Sequence, residues 1–230
     1  MSAERQAVVT GATGAIGASI ARACTAAGYR VHAVVRDGSR IEGLASYVAD
    51  FGDPAAVEAL GRELTTQLPR LELLVHAAGA FEPGTIEEVS TEDLQRMFLV
   101  NVSAPYTLTR ALLPSLRAAG GDVVFVNSSA GTGARPGAAA YAATKHALRA
   151  IADALRAEQN EHGVRVLSIF PGRTAGSLQE RLHDFEDRPY ESARLLQPDD
   201  IAEAILSGVG LPRSAEVTDI HIRPRSKPPA

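Results

Sequence analysis

Short apolar runs separated by helix-length stretches limit the folds open to this chain more than any other feature. Runs of strand length lie at residues 7–9, 31–35, 71–75, 123–126, 164–169 and 217–222, with a short further strand expected near Tyr47-Val48. Helical periodicity fills the intervals 16–27, 54–68, 91–119, 138–162 and 198–209. Strands that are apolar on both faces and joined by helical crossovers belong in a mostly parallel sheet covered on each side. The expectation is an α/β, Rossmann-like, doubly wound parallel sheet of about seven strands with helices on both faces. At 230 residues the chain suits one core. A single domain is expected, with a cofactor half over about 1–120 and a catalytic and substrate half over about 121–230.

Charge and composition remove several function classes. The net charge is −4 and no block of like charge stands out, so neither nucleic acid nor a membrane surface is an expected partner. One cysteine, Cys24, excludes an internal disulfide and reads as a small buried hydrophobe. The six histidines lack the spacing of a metal site, and none is expected. No stretch approaches the ~18 apolar residues of a membrane span, and the polar start lacks the apolar core of a secretion signal. A cytoplasmic location is the expectation. The two N-x-[ST] matches at Asn101 and Asn127 are then coincidental.

Directly after the first strand comes Thr10-Gly11-Ala12-Thr13-Gly14-Ala15-Ile16-Gly17, opening a helix. Gly11 permits a tight turn, Gly14 lets backbone N–H groups approach a pyrophosphate, and Gly17 allows helix and strand to pack closely. The helix N-terminus adds partial positive charge. A dinucleotide site is one reading of this loop; a purely structural turn is the other.

Further motifs follow in order: Asp50 after the third strand, His76-Ala77-Ala78-Gly79 after the fourth, Asn101 in the next helix, Ser128, Tyr141-Ala142-Ala143-Thr144-Lys145, and Pro171-Gly172. With the glycine loop, they make the chain resemble the short-chain dehydrogenase/reductase family over essentially its whole length. Two departures are visible. The glycine spacing is T-G-x-x-G-x-x-G, with Ala15 where the commoner family pattern has glycine, and the N-N-A-G motif reads His76-Ala77-Ala78-Gly79.

The resemblance implies a cofactor site formed by Gly11, Thr13, Gly14, Ala15, Ile16, Arg36, Asp50, Phe51, Ala77, Ala78, Gly79, Tyr141, Lys145, Pro171, Gly172 and Thr174. Asp50 and Phe51 would contact the adenine, although Asp50 also reads as a loop acid capping the helix near Pro54. Thr174 would lie near the nicotinamide carboxamide, with residues 175–197 as lid and substrate wall. Charge favours NADP(H), with NAD(H) as the alternative. The second strand ends in Val35 rather than an acid, and Arg36 follows as a fork suited to a 2′-phosphate, with Asp37 beside it as a competing ribose acceptor or neutralising charge.

Tyr141 and Lys145 stand four apart on a helix and therefore share a face. An ammonium near a phenol favours phenolate, so the spacing predicts a Tyr141 pKa lowered from about 10. Lys145 is one of only two lysines against 21 arginines, the other being Lys227. By resemblance, Asn101, Ser128, Tyr141 and Lys145 form the catalytic set. Ser128 would orient a carbonyl or alcohol, and Asn101 would bend its helix and hold a relay water. Taken singly, each also reads as a structural residue. Arg173 either binds an acidic substrate or pairs with a neighbouring acid.

The implied activity is interconversion of a carbonyl compound and a secondary alcohol, with a small-molecule substrate. A cofactor-retaining epimerase or dehydratase and a non-catalytic dinucleotide sensor are the alternatives. Small-residue faces on the helices beginning near Thr91 and Ala138 suggest a homodimer or homotetramer.

Overall fold

A computed structural model describes residues 4–225. Seven strands form one parallel sheet: β1 (Arg5–Thr10), β2 (Tyr29–Val35), β3 (Ala45–Val48), β4 (Leu73–His76), β5 (Asp122–Val126), β6 (Arg165–Pro171) and β7 (Asp219–Ile222). Their order is β3-β2-β1-β4-β5-β6-β7, so the chain reverses direction across the sheet between β1 and β4. That switch point opens a crevice at the carboxyl ends of the strands. Register places Thr10 opposite both Val34 and His76, aligning the three strand ends from which the first loops depart.

The continuous burial of β4 and β5 follows from helices on both faces. Helices α1 (Ala15–Ala26) and α7 (Pro198–Val209) enclose one apolar core, with Ile20, Ala21, Cys24, Ile201 and Ile205 against Val9, Val75 and Val124. On the other face, α2 (Pro54–Gln67), α4 (Ala104–Ala119) and α5 (Ala139–Gln159) supply Leu60, Leu64, Leu108, Leu112, Leu148 and Ala152 against Val8, Leu74 and Phe125. Burial of Cys24 pushes its thiol up to about 12, leaving it an inert packing group.

The expected helix over 91–119 is interrupted. It comprises α3 (Thr91–Phe98), a single π-helical turn at Leu99–Ser103 and then α4, with Asn101 inside the π turn. A helix absent from the sequence expectations, α6 (Ser177–Phe185), lies in the lid segment. In the expected irregular end at 223–230, residues 226–230, including Lys227, lie outside the described residues.

Among the described residues, no helix is long and apolar enough to cross a membrane, and no group of three His, Cys, Asp or Glu side chains could hold a metal. Both sequon asparagines, Asn101 and Asn127, are buried.

Candidate active site

A cleft of about 710 Å³ runs along the carboxyl ends of the strands. Every cofactor residue expected from the sequence lines it: the 11–16 side of the glycine loop, Arg36, Asp50 and Phe51, residues 77–79, Tyr141, Lys145, Pro171, Gly172 and Thr174. Gly11 adopts φ +65°, and a Cβ there would stand 2.7 Å from the Ala78 Cα. Glycine is therefore required both for the turn and for close approach to the 77–79 strand end. Thr10 locks the two loops together, its hydroxyl accepting from the N–H groups of Ala77 and Ala78, each at 3.1 Å.

His76, which replaces asparagine in the family motif, takes no place in the lining. Its Nε2 meets the Thr109 hydroxyl at 2.8 Å and its ring stacks on Phe125. Burial pushes its pKa down to about 3, so the imidazole stays neutral. The substitution is thus absorbed in the core. The capping reading of Asp50 is corrected here: Asp53 caps α2 through Ala55 N–H, whereas Asp50 accepts from Gly52 N–H at 2.8 Å beside the cleft.

Ser128, Tyr141 and Lys145 line the cleft together. Ser128 is the extended residue that leaves β5, and its Oγ accepts from Ala130 N–H at 3.1 Å. That capping bond leaves the hydroxyl proton for the Tyr141 phenol, to which Ser128 is hydrogen-bonded. Tyr141 and Lys145 sit in the first two turns of α5, with the Lys145 Nζ 5.6 Å from the Tyr141 ring centroid. The same Nζ donates to the Val126 carbonyl at 3.0 Å.

The expected lowering of the Tyr141 pKa is not found. Burial pushes it up to about 12, a Ser128 hydrogen bond only partly opposing the rise. Burial likewise draws Lys145 down to about 8. Charge attraction was the only force visible in the four-residue spacing, whereas burial, which the spacing does not show, governs both groups.

Asn101 does not line the cleft. Its amide donates to the Ala80 carbonyl at 2.8 Å and to the Thr144 hydroxyl at 3.0 Å, while its Oδ1 accepts from Ala80 N–H at 2.7 Å. Both amide hydrogens are therefore taken, and the side chain braces the loop after β4 against α5. Asn127 performs a parallel task unmarked by the motifs. It accepts from Ser128 N–H at 2.9 Å and donates to the Lys145 carbonyl at 3.1 Å, tying the β5 end to α5.

Phe81 also escaped sequence reasoning. It is buried, and its ring meets Tyr141 edge-on with centroids 5.0 Å apart, forming an apolar wall beside the phenol. The segment that carries α6 also lines the cleft. Phe185 packs onto Gly137, where a Cβ would stand 2.8 Å from the ring, and Arg181 reaches Glu82 at 2.8 Å. Arg173 is paired with a neighbouring acid, Nη2 meeting both Glu186 oxygens at 2.6 and 2.7 Å. The Thr174 hydroxyl turns back to the Gly172 carbonyl at 3.1 Å.

Sequence and fold both have counterparts among known proteins. The short chain dehydrogenase family model matches residues 5–187. The chain belongs to the short-chain dehydrogenase/reductase family. Dehydrogenase/reductase SDR family member 11 of Bos taurus is 31% identical over 245 residues, spanning 96% of each chain. An alcohol dehydrogenase from the archaeon Thermococcus sibiricus, solved with 5-hydroxy-NADP, superposes with TM-score 0.85 at 25% identity, covering 98% of this chain and 99% of that one. The closed form of a serine dehydrogenase complexed with NADP+ gives TM-score 0.87 at 27% identity, covering 98% and 97%. The chain is thus an oxidoreductase of this family by sequence and by fold.

Proposed function

We propose that this short-chain dehydrogenase/reductase is an NADP(H)-dependent enzyme that interconverts a carbonyl compound and a secondary alcohol. The observation that carries the reading is the convergence of Ser128, Tyr141 and Lys145 in the same cleft that the glycine loop lines.

The residues fit a dinucleotide. Gly14, the N-cap of α1, provides no side-chain cap, and the first turn of α1 has no acid, so its backbone N–H groups remain available to a pyrophosphate. In contrast, α2 and α3 are capped by Asp53 and Ser90. Arg36 favours the phosphorylated cofactor. It lines the cleft with no hydrogen bond or ion pair among the described residues, while Asp37 accepts from the Ser39 hydroxyl at 2.6 Å. The Ser39 hydrogen bonds, with a smaller contribution from the Arg36 charge, hold Asp37 below the usual carboxylate range, so the acid is occupied mainly by Ser39. The nucleotide-bound structural relatives carry NADP forms.

When bound, the nicotinamide supplies hydride to the carbonyl carbon or accepts it from the alcohol carbon. In reduction, the Tyr141 hydroxyl gives its proton to the carbonyl oxygen, so hydride and proton together yield the alcohol. Ser128 orients that oxygen by hydrogen bonding. Lys145 holds positive charge beneath the phenol and stabilises the phenolate left behind. Asn101, set back from the cleft, positions α5 through Thr144 and the 80-loop through Ala80.

The test is NADPH consumption, followed by absorbance, with a panel of ketones and aldehydes. Steady consumption that Tyr141→Phe abolishes is expected. Cofactor binding without consumption across the panel would favour the sensor reading instead.

A further inference from the structure

The substrate half of the cleft has an apolar wall and a distinctive charge arrangement. Four arginines line it: Arg96 on α3, Arg135 in the loop before α5, Arg173 after β6 and Arg181 on α6. Two are neutralised, Arg173 by Glu186 and Arg181 by Glu82. Arg96 and Arg135 are exposed, and their guanidinium groups make no hydrogen bond or ion pair among the described residues. The remaining acid in the lining, Asp93, sits one turn from Arg96 and accepts from the Ser90 hydroxyl at 2.7 Å within the α3 cap. The substrate half therefore presents two unmatched guanidinium forks in a chain whose net charge is −4.

Guanidinium forks recognise paired anionic oxygens, and in an acidic protein an unmatched pair at a cleft mouth concentrates anions locally. Placement adds to this. Arg135 lies six positions before Tyr141, in the segment joining Ser128 to α5, and Arg96, like its buried neighbour Met97, lines the cleft. Phe81 lines the same cleft and meets the Tyr141 ring edge-on.

Resting on the oxidoreductase reading above, we propose that the substrate is an anionic oxo or hydroxy compound. Its reacting carbon sits at Tyr141, its apolar body lies along Phe81 and Met97, and its carboxylate or phosphate group is held by Arg135 and Arg96. The anion is bound at a partly exposed site, so the arginines act mainly on affinity and their contribution falls with added salt.

The test uses the enzyme with NADPH and oxo carboxylates of graded chain length, each beside its methyl ester, with hydroxyketone phosphates as a separate arm. The carboxylate is expected to exceed its ester in kcat/KM, and Arg135→Met and Arg96→Met are each expected to lower the acid-to-ester ratio by about tenfold, mostly through KM. Arg62→Met, on α2 outside the cleft, leaves that ratio unchanged. Preference for the phosphates over the carboxylates, with the same arginine dependence, identifies the anion as phosphate. Esters matching or surpassing acids, or a ratio unaffected by both substitutions, overturns the proposal while leaving the oxidoreductase reading intact.

If no compound is reduced, the oxidoreductase reading fails by itself. The anion site is then read from quenching of bound NADPH fluorescence by the same compounds. Saturable quenching by the anions that both arginine variants weaken supports the site, and its absence in the unaltered protein refutes it.

Discussion

Replacing Lys145 with methionine is expected to make the protein more stable while removing its activity. Lys145 is 3% exposed, and burial takes its pKa from 10.5 to about 8. At about 1.4 kcal/mol per pH unit, keeping the ammonium charged in that environment costs the fold about 3 kcal/mol near neutral pH. Its hydrogen bond to the Val126 carbonyl returns about 1 kcal/mol of this. Lys145→Met keeps the aliphatic stem and should therefore gain about 2 kcal/mol, or roughly 4–8 °C in Tm for a chain of this size.

The sign of the pH dependence follows from the same shift. The folded pKa lies below the unfolded one, so between about pH 8 and 10.5 the unfolded chain holds the proton more tightly and the unaltered protein gains stability as pH rises. Tyr141, raised from 10 to about 12, contributes in the opposite sense, its stabilisation being complete below pH 10 and lost as pH rises through about 12. Tyr141 is present in both proteins and largely cancels from the comparison. Urea unfolding of both proteins without cofactor, at about pH 7 and again at about pH 10, measures the difference. The variant should lead at the lower pH, with most of the gap closed at the higher. A variant less stable at both values, or a gap independent of pH, would show that the ammonium is well compensated and the burial argument wrong.

Other expectations follow from the same geometry. Lys145→Arg should retain the fold and cofactor binding yet lose on the order of 10²–10⁴ in kcat/KM, because a planar guanidinium cannot take the ammonium's place between the phenol and the Val126 carbonyl. Circular dichroism beside kinetics checks this, and near-normal activity would remove Lys145 from the reacting centre. Arg36→Asp should turn a preference for NADPH into one for NADH, read from dissociation constants for both; equal affinities in the unaltered protein would contradict the assignment of Arg36. Light scattering at micromolar concentration should give a dimer or tetramer mass, and a monomer mass would count against a helix-mediated assembly.

The fold was legible because parallel strands buried on both faces write themselves as apolar runs. The run at 123–126 became β5 almost unchanged, and the helix expected over 198–209 has the bounds of α7. The break within 91–119 has no glycine or proline signal at residues 99–103, and only the family resemblance, which has Asn101 bend its helix, pointed to it. It is the buried Asn101 amide, bonded to Ala80 and Thr144, that sits in the π turn. The cleft residues on backbone motifs were readable because Gly11 and the 77–79 strand end must approach each other closely. Phe81 and Asn127 were not, because their roles depend on contacts with Tyr141 and Lys145 that lie far away in sequence. The mixed charges of 175–197 hid α6 for a similar reason: Arg173–Glu186 and Arg181–Glu82 are pairings that only the folded lid defines. The spacing of Tyr141 and Lys145 correctly brought them to one face of α5, but it carried no information about the burial that sets their proton affinities.

The central claim is that Tyr141 passes a proton to a substrate held beside the nicotinamide, and a single comparison tests it most directly. NADPH oxidation by the unaltered protein and by Tyr141→Phe, with any carbonyl compound found to be turned over, isolates the phenolic hydroxyl. Phenylalanine keeps the edge-on contact with Phe81. The account predicts steady oxidation by the unaltered protein and a loss on the order of 10²–10⁴ in the variant, with NADPH binding retained. Oxidation at a similar rate in a folded, cofactor-binding Tyr141→Phe protein would contradict it.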